Sequence, residues 1–205
     1  RSKYGHTTAV VFLGHGVGLG LILDGKVFEG ASGRASELGH MNHDPAGPLC
    51  RCGMRGCLEA YSADYGIYRL AHPAANADIG VRKPVPSGMM EELQRSAEAG
   101  EPHALAAYQR AGEVLGFGLS RLIALINPRL VVFTGPGTAA FHLMRPRIEA
   151  ALAGSLVHDL YKDVAFEVVG GGRDLIVSGS LMEALRYLDR EVFAAAGHAG
   201  SLAAE

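Results

Sequence analysis

The chain contains no tryptophan and only three cysteines in 205 residues. So few cysteines, and an odd number of them, exclude a disulfide framework of the kind that staples small secreted folds. Charge of one sign is also lacking. Nineteen Lys and Arg face 21 Asp and Glu, a formal net charge of −2, and no stretch concentrates the basic residues. That balance gives no general attraction to a phosphate backbone, so this segment is not expected to bind DNA by itself. No apolar run approaches the roughly 20 residues of a membrane-spanning helix, and no basic-then-apolar leader opens the chain. No membrane partner is expected, and unpaired thiols agree with a reducing, cytoplasmic setting. With 48% apolar and 20% charged residues, the composition is that of a globular chain large enough for one good core. Arg1 opens without methionine and leads within seven residues into a strand pattern, so the expectation is a fragment with its upstream part missing.

What is present is concentrated. All three cysteines fall in Cys50-Arg51-Cys52-Gly53-Met54-Arg55-Gly56-Cys57, and His40 stands ten positions before the first. Three thiolates and one imidazole form a closed donor set for a structural Zn²⁺, which a tetrahedral d¹⁰ ion accepts with no reactive position left open. Gly53 and Gly56 let the backbone turn between ligands. The competing readings are three free thiols in a Gly-rich loop, or one disulfide with a leftover thiol. A disulfide across the single residue between Cys50 and Cys52 is geometrically awkward. The sequence reading therefore takes His40, Cys50, Cys52 and Cys57 as zinc ligands. His43 is read as a surface or packing histidine, because four donors already complete the shell.

Around this loop the pattern is mixed. Residues 8–13 read as a buried strand, 14–20 as a Gly-rich loop and 21–23 as a second strand. Asp24-Gly25 predicts a tight turn into a third strand at 26–28, since both residues accept positive φ. Residues 30–59 are loop-rich and hold every candidate ligand. One helix is predicted over 58–71, an irregular stretch over 72–87, and a short helix over 89–99. A long helix begins at Pro102 and stops at Asn127-Pro128. Gly112, Gly116 and Gly118 each cost that helix about 1 kcal/mol of propensity relative to Ala, which predicts close packing against another backbone. Strands at 130–133 and 164–169 alternate with helices at 141–152 and 176–193, and the tail from Ala194 is expected to fray. The fold class is α/β: a mixed sheet of about five strands flanked by helices.

Gly39-His40, Gly47, Cys50, Cys52-Gly53, Gly56-Cys57 and Glu59, in that order, resemble the zinc-binding motif of the ROK family of bacterial sugar kinases and sugar-responsive repressors. The similarity extends upstream through Gly16-Val17-Gly18, Asp24-Gly25 and Gly30, and downstream through Ala60-Tyr61. The resemblance implies a two-lobed, actin-like (ribonuclease H-like) ATPase fold, of which residues 1–205 are a single C-terminal lobe with a zinc- and sugar-site loop at 30–59. It also implies sugar contacts from Glu37, His40 and Glu59. Carboxylates accept from vicinal hydroxyls, and an imidazole bound to zinc through one nitrogen offers the other. Without the family, Glu37 reads as a solvated loop acid and Glu59 as an acid favoured by a helix N-terminus.

Kinases of this family carry a catalytic Asp in an Asn-Asp segment before the strand that here begins near Thr8, so no catalytic residue is assigned. Their phosphate loop shows Gly-Thr-Gly, where this chain has Gly14-His15-Gly16-Val17-Gly18. The residues Gly14, His15, Gly16 and Gly18 are therefore read as a phosphate-loop remnant of the repressor-like branch, and Pro136 departs in the same direction on the adenosine side. ATP and Mg²⁺ are not expected cofactors. The resulting expectation is the sugar-sensing, dimer-forming part of a transcriptional repressor, with a sugar or amino-sugar effector and DNA contacted only through an absent N-terminal domain. The alternatives are a lobe of an ATP-dependent sugar kinase and a zinc-stabilised scaffold without ligand.

Overall fold

The computed structural model describes residues 7–74, 79–80, 83–156, 158–170 and 173–187. Its sheet has five strands in the order β3-β2-β1-β4-β5. β1 (Thr8–Leu13) is the run Thr-Ala-Val-Val-Phe-Leu, whose β-branched and aromatic side chains suit a strand covered on both faces. β2 (Val17–Leu23) pairs with it antiparallel, Leu13 opposite Val17 and Thr8 opposite Ile22. The expected loop is thus shorter than the sequence suggests. Only Gly14, His15 and Gly16 form the turn, while Gly18 and Gly20 lie in the strand opposite Phe12 and Val10. Glycine weakens a strand, but pairing to the buried β1 overrides that local preference.

Asp24 and Gly25 have φ of 51° and 77° and turn the chain into β3 (Lys26–Val27), as expected. On the other side β4 (Leu130–Thr134) runs parallel to β1, and β5 (Ala165–Val168) parallel to β4. The predicted mixed sheet is the one observed.

The single helix expected over 58–71 is two. α1 (Glu59–Ser62) and α2 (Asp64–Ala71) are separated by Ala63, extended at φ −82° and ψ 164°. The break turns the Asp64 N–H onto the carbonyl of Gly14 at 2.8 Å, tying α2 to the β1–β2 turn. A tertiary hydrogen bond therefore overrides a continuous apolar periodicity.

α3 (Met89–Glu98) precedes α4 (Pro102–Ile126). Glu101 caps α4 by accepting from the N–H groups of His103 and Ala104 at 3.1 and 2.6 Å, and Asn127 ends it at φ 47°. α5 (Phe141–Ser155) packs along α4. A Cβ at Gly112 would land on the carbonyl oxygen of Met144, and one at Gly116 would lie 2.9 Å from that of Ile148. Both glycines permit the expected backbone contact. Gly118 does not; it faces the side chain of Leu58 instead. Leu115, Leu119, Val131, Phe133 and Leu152 form the fully buried centre.

The chain divides into two units, Arg1–Gly170 and Gly171–Glu205. The second contains α6 (Arg173–Tyr187). This helix begins three residues before the expected start, and its predicted continuation to 193 and the tail from Ala194 lie outside the described residues.

Candidate metal and sugar site

Residues 41–58 form an irregular hairpin that places Cys50, Cys57 and Leu58 in the core and is otherwise held by backbone bonds. His43 N–H donates to Gly56 O at 2.7 Å, Gly56 N–H to Pro48 O at 2.8 Å, Cys50 N–H to Met54 O at 2.8 Å and Leu58 N–H to Met41 O at 3.0 Å. Gly53 and Gly56 take φ of 90° and 69°, which favour glycine. His40 ends a short 3-10 turn, Leu38–His40, against β2.

This path brings His40, Cys50, Cys52 and Cys57 together, with their ligand atoms all within 4.8 Å of one another. Cys52 Sγ lies 3.7 Å from Cys57 Sγ, and Cys50 Sγ lies 3.7 Å from His40 Nδ1. A tetrahedral ion with metal–sulfur bonds of about 2.3 Å requires sulfur–sulfur edges of about 3.8 Å. The donor set and its spacing fit a four-coordinate metal ion, and the cluster could hold one. Left to each other, the thiols resist joint ionisation. Burial, then the Cys52 and Cys50 thiols, push Cys57 up to about 12. Cys52 is held below the usual thiol range: burial opposes this, but hydrogen bonds from the Met54 backbone and from the neighbouring thiols outweigh it.

The three acid and imidazole groups proposed for a sugar differ in their surroundings. Glu37 is exposed, with Oε2 3.9 Å from His40 Nε2, so the imidazole turns one nitrogen to the thiols and the other to this carboxylate. Glu59 is only 7% exposed. Its Oε2 accepts from Val17 N–H at 3.2 Å and its Oε1 from the Tyr65 hydroxyl at 3.2 Å, with Cys50 Sγ 3.9 Å away. Glu59 is thus a brace between the β1–β2 turn and the cysteine cluster, beyond the surface helix-terminal acid that its position in the sequence suggests. Tyr65 also approaches Cys50 Sγ at 3.4 Å. Burial holds its hydroxyl protonated, helped by the Cys50 bond and the charge on Glu59. Sequence periodicity identifies Tyr65 only as an apolar helix position, because nothing local reveals where a hydroxyl points.

The β1–β2 turn is closed by side chains. His15 Nδ1 lies 3.3 Å from Asp64 Oδ2; the imidazole is 85% exposed and the carboxylate 14%. Burial raises the pKa of Asp64, with Glu91 acting in the same direction and His15 and Arg51 opposing. A Cβ at Gly14 would meet Pro136 Cγ at 2.9 Å, and one at Gly16 would meet Glu59 Oε2 at 2.8 Å. Gly14, His15 and Gly16 therefore sit at one junction with Pro136 and Glu59, whereas Gly18 lies along β2. Asp64 has no motif to announce it.

His43 packs edge-on to Tyr61 at 5.5 Å and tilted against Phe117 at 5.6 Å, with Nδ1 buried and without a partner. It is the packing histidine the sequence reading expects. Burial, then Arg110 and Arg121, lower its pKa against the opposing charges of Asp44 and Glu113. The unfolded chain therefore binds the proton first as pH falls through about 6.5, so stability is lost on acidification from there. His43→Phe, which keeps the ring, is expected to flatten the dependence of the melting midpoint on pH between 7 and 5.5. Melts of both proteins in chelator test this, and parallel pH curves would remove His43 as the cause.

Comparisons with known proteins agree on the family. The ROK family model matches residues 1–189. The DNA-binding transcriptional dual regulator NagC of Escherichia coli K12 is 30% identical over 137 residues, which cover 67% of this chain and 34% of NagC. A glucokinase of Streptomyces coelicolor is 31% identical over 140 residues, 64% of this chain and 44% of the enzyme. Among solved structures, a ROK family transcriptional regulator homologous to E. coli MLC superposes with a TM-score of 0.66 at 27% identity, covering 79% of this chain and 41% of that one. A ROK hexokinase from Thermus thermophilus gives 0.63 at 28% identity, covering 79% and 53%. The chain thus spans about a third to a half of the length of these relatives, and repressors and kinases match it equally. Its fold is that of the actin-like ATPases in this group, and the chain belongs to the ROK family.

Proposed function

We propose that this chain is the sugar-sensing, dimer-forming C-terminal lobe of a ROK-type transcriptional regulator that also has an upstream lobe and a DNA-binding domain. The observation that carries the reading is the His15–Asp64 pair across the turn where kinases of the family cradle phosphate. A phosphate approaching that turn meets the imidazole, the Asp64 carboxylate beneath it and Glu59 beside Gly16. The Val17 amide, a candidate phosphate donor, is already engaged by Glu59. Two carboxylates at a turn oppose a polyanion rather than bind it.

Zn²⁺ held by His40, Cys50, Cys52 and Cys57 would supply a structural cross-link for a loop with little apolar core of its own. Glu37, His40 Nε2 and Glu59 are the sugar-facing groups in this reading. A sugar hydroxyl reaching Glu59 competes with Tyr65 or with the Val17 amide, and so links sugar occupancy to the β1–β2 turn. That differential contact favours one arrangement of the whole protein over another, which is what an effector requires. Relatives named N-acetylglucosamine repressor and xylose repressor make both sugars the first to try.

The test uses the full-length protein, DNA from upstream of its own gene, and glucose, N-acetylglucosamine and xylose. One sugar is expected to change DNA affinity by about 5-fold or more, the usual range of such couplings, with no ADP formed from ATP. Sugar-dependent ADP release would replace this reading with the glucokinase-like one that the 31% identical enzymes favour. Sugar response that persists in a metal-free Cys52→Ser protein would separate the zinc loop from sensing.

A further inference from the structure

A cavity of about 430 Å³ opens beside the cysteine loop, and none of Glu37, His40 and Glu59 lines it. Its walls include Pro48, Leu49, Leu70 and Pro73, with Arg55, Arg69 and His72 as the basic side chains. Arg69 is half-buried. Its Nη2 donates to the carbonyls of Leu49 and Ala60 at 3.0 and 3.4 Å, but its Nε is buried and has no partner. Among the described residues the Arg55 side chain makes one bond, from Nη1 to Gly47 O at 3.3 Å. Among the described residues neither guanidinium is paired with a carboxylate. That Nε is closed off from the cavity as the side chain stands, and a guanidinium donor without an acceptor is costly, so a turn of Arg69 toward an occupant would relieve it.

From this cavity we infer a second ligand site, for a small organic carboxylate with an apolar body. The volume lies in the usual range for small-molecule sites, mostly apolar walls accept the body, and planar guanidinium donors match a carboxylate. A phosphate monoester fits less well, because its second charge costs more to desolvate against walls that are mainly apolar. The site also reaches the rest of the loop. Arg69 stands over the Tyr65 ring at 4.9 Å, and the Tyr65 hydroxyl contacts both Cys50 and Glu59. An occupant that draws Arg69 aside changes the field on that ring.

Titration calorimetry on the full chain with 4-phenylbutyrate, its neutral amide and phenyl phosphate tests the site, with NMR of the Tyr65 ring as a second readout. Submillimolar binding of the carboxylate is expected, at least 10-fold weaker binding of the amide, and a shift of the Tyr65 ring signals. Arg69→Met and Arg55→Gln are each expected to weaken carboxylate binding at least 10-fold. Arg69 also holds two carbonyls, so if Arg69→Met does not fold, Arg55→Gln, exposed and with one bond, decides. Equal binding of acid and amide, tighter binding of phenyl phosphate, unchanged affinity in a folded variant, or no heat at 5 mM overturns the inference.

Discussion

Zn²⁺ at about 1,000 times its Kd is expected to raise the thermal midpoint of this chain by about 8–16 °C. Ligand bound only to the folded state at that excess contributes about 4 kcal/mol, and a chain of this size gains about 2–4 °C per kcal/mol. The effect is large because residues 41–58 are held by turn hydrogen bonds and their buried side chains are few, chiefly Cys50, Cys57 and Leu58. Cys57→Ser is expected to abolish the rise, since a hydroxyl does not ionise to replace the thiolate. Scanning calorimetry with metal and with chelator, on wild type and variant, provides the check alongside metal stoichiometry. Equal midpoints in the wild type with and without Zn²⁺ would show four side chains that meet without binding.

The second large effect distinguishes two glycines. Gly53 and Gly56 both have positive φ, 90° and 69°, and both stand between cysteines. Nothing lies within 4 Å of a Cβ at Gly53, whereas one at Gly56 would fall on the carbonyl oxygen of Asp44. Gly53→Ala is therefore expected to cost about 1–2 kcal/mol, the strain of the left-handed backbone alone. Gly56→Ala adds a clash with backbone that cannot rotate away, for a total of about 2–5 kcal/mol. It also displaces Cys57, so weaker metal binding accompanies the lower midpoint. Parallel denaturant titrations of the two variants measure the difference, and similar losses would mean the hairpin yields to the added methyl.

The same pair shows what the sequence makes legible. Both glycines read as turn formers from their spacing, and both are; only the tertiary position of Asp44 separates them. The four candidate ligands, the Asp24-Gly25 turn, the sheet class and the stop at Asn127 follow from local chemistry, so residue types alone locate them. The early start of β2 and the break at Ala63 do not, because each is decided by a pairing that residue type does not announce: the neighbouring β1 for Gly18 and Gly20, the distant Gly14 for Asp64. The surroundings of Glu59, Tyr65 and Asp64 are hidden for the same reason. A carboxylate's role as brace depends on which backbone amide the fold brings to it.

The pairing of β1 with β4 sets an order of events in folding. Thr8 lies opposite Leu130, about 120 positions away along the chain, so the centre of the sheet forms only after a long loop has closed. The β1–β2 hairpin and the cysteine loop involve short separations and close first. Until β4 arrives, the edge of β1 that awaits it is unpaired and apolar, which exposes the nascent chain to association with its own copies. High concentration is thus a hazard confined to the time before β4 docks, and it ends once the centre of the sheet has closed.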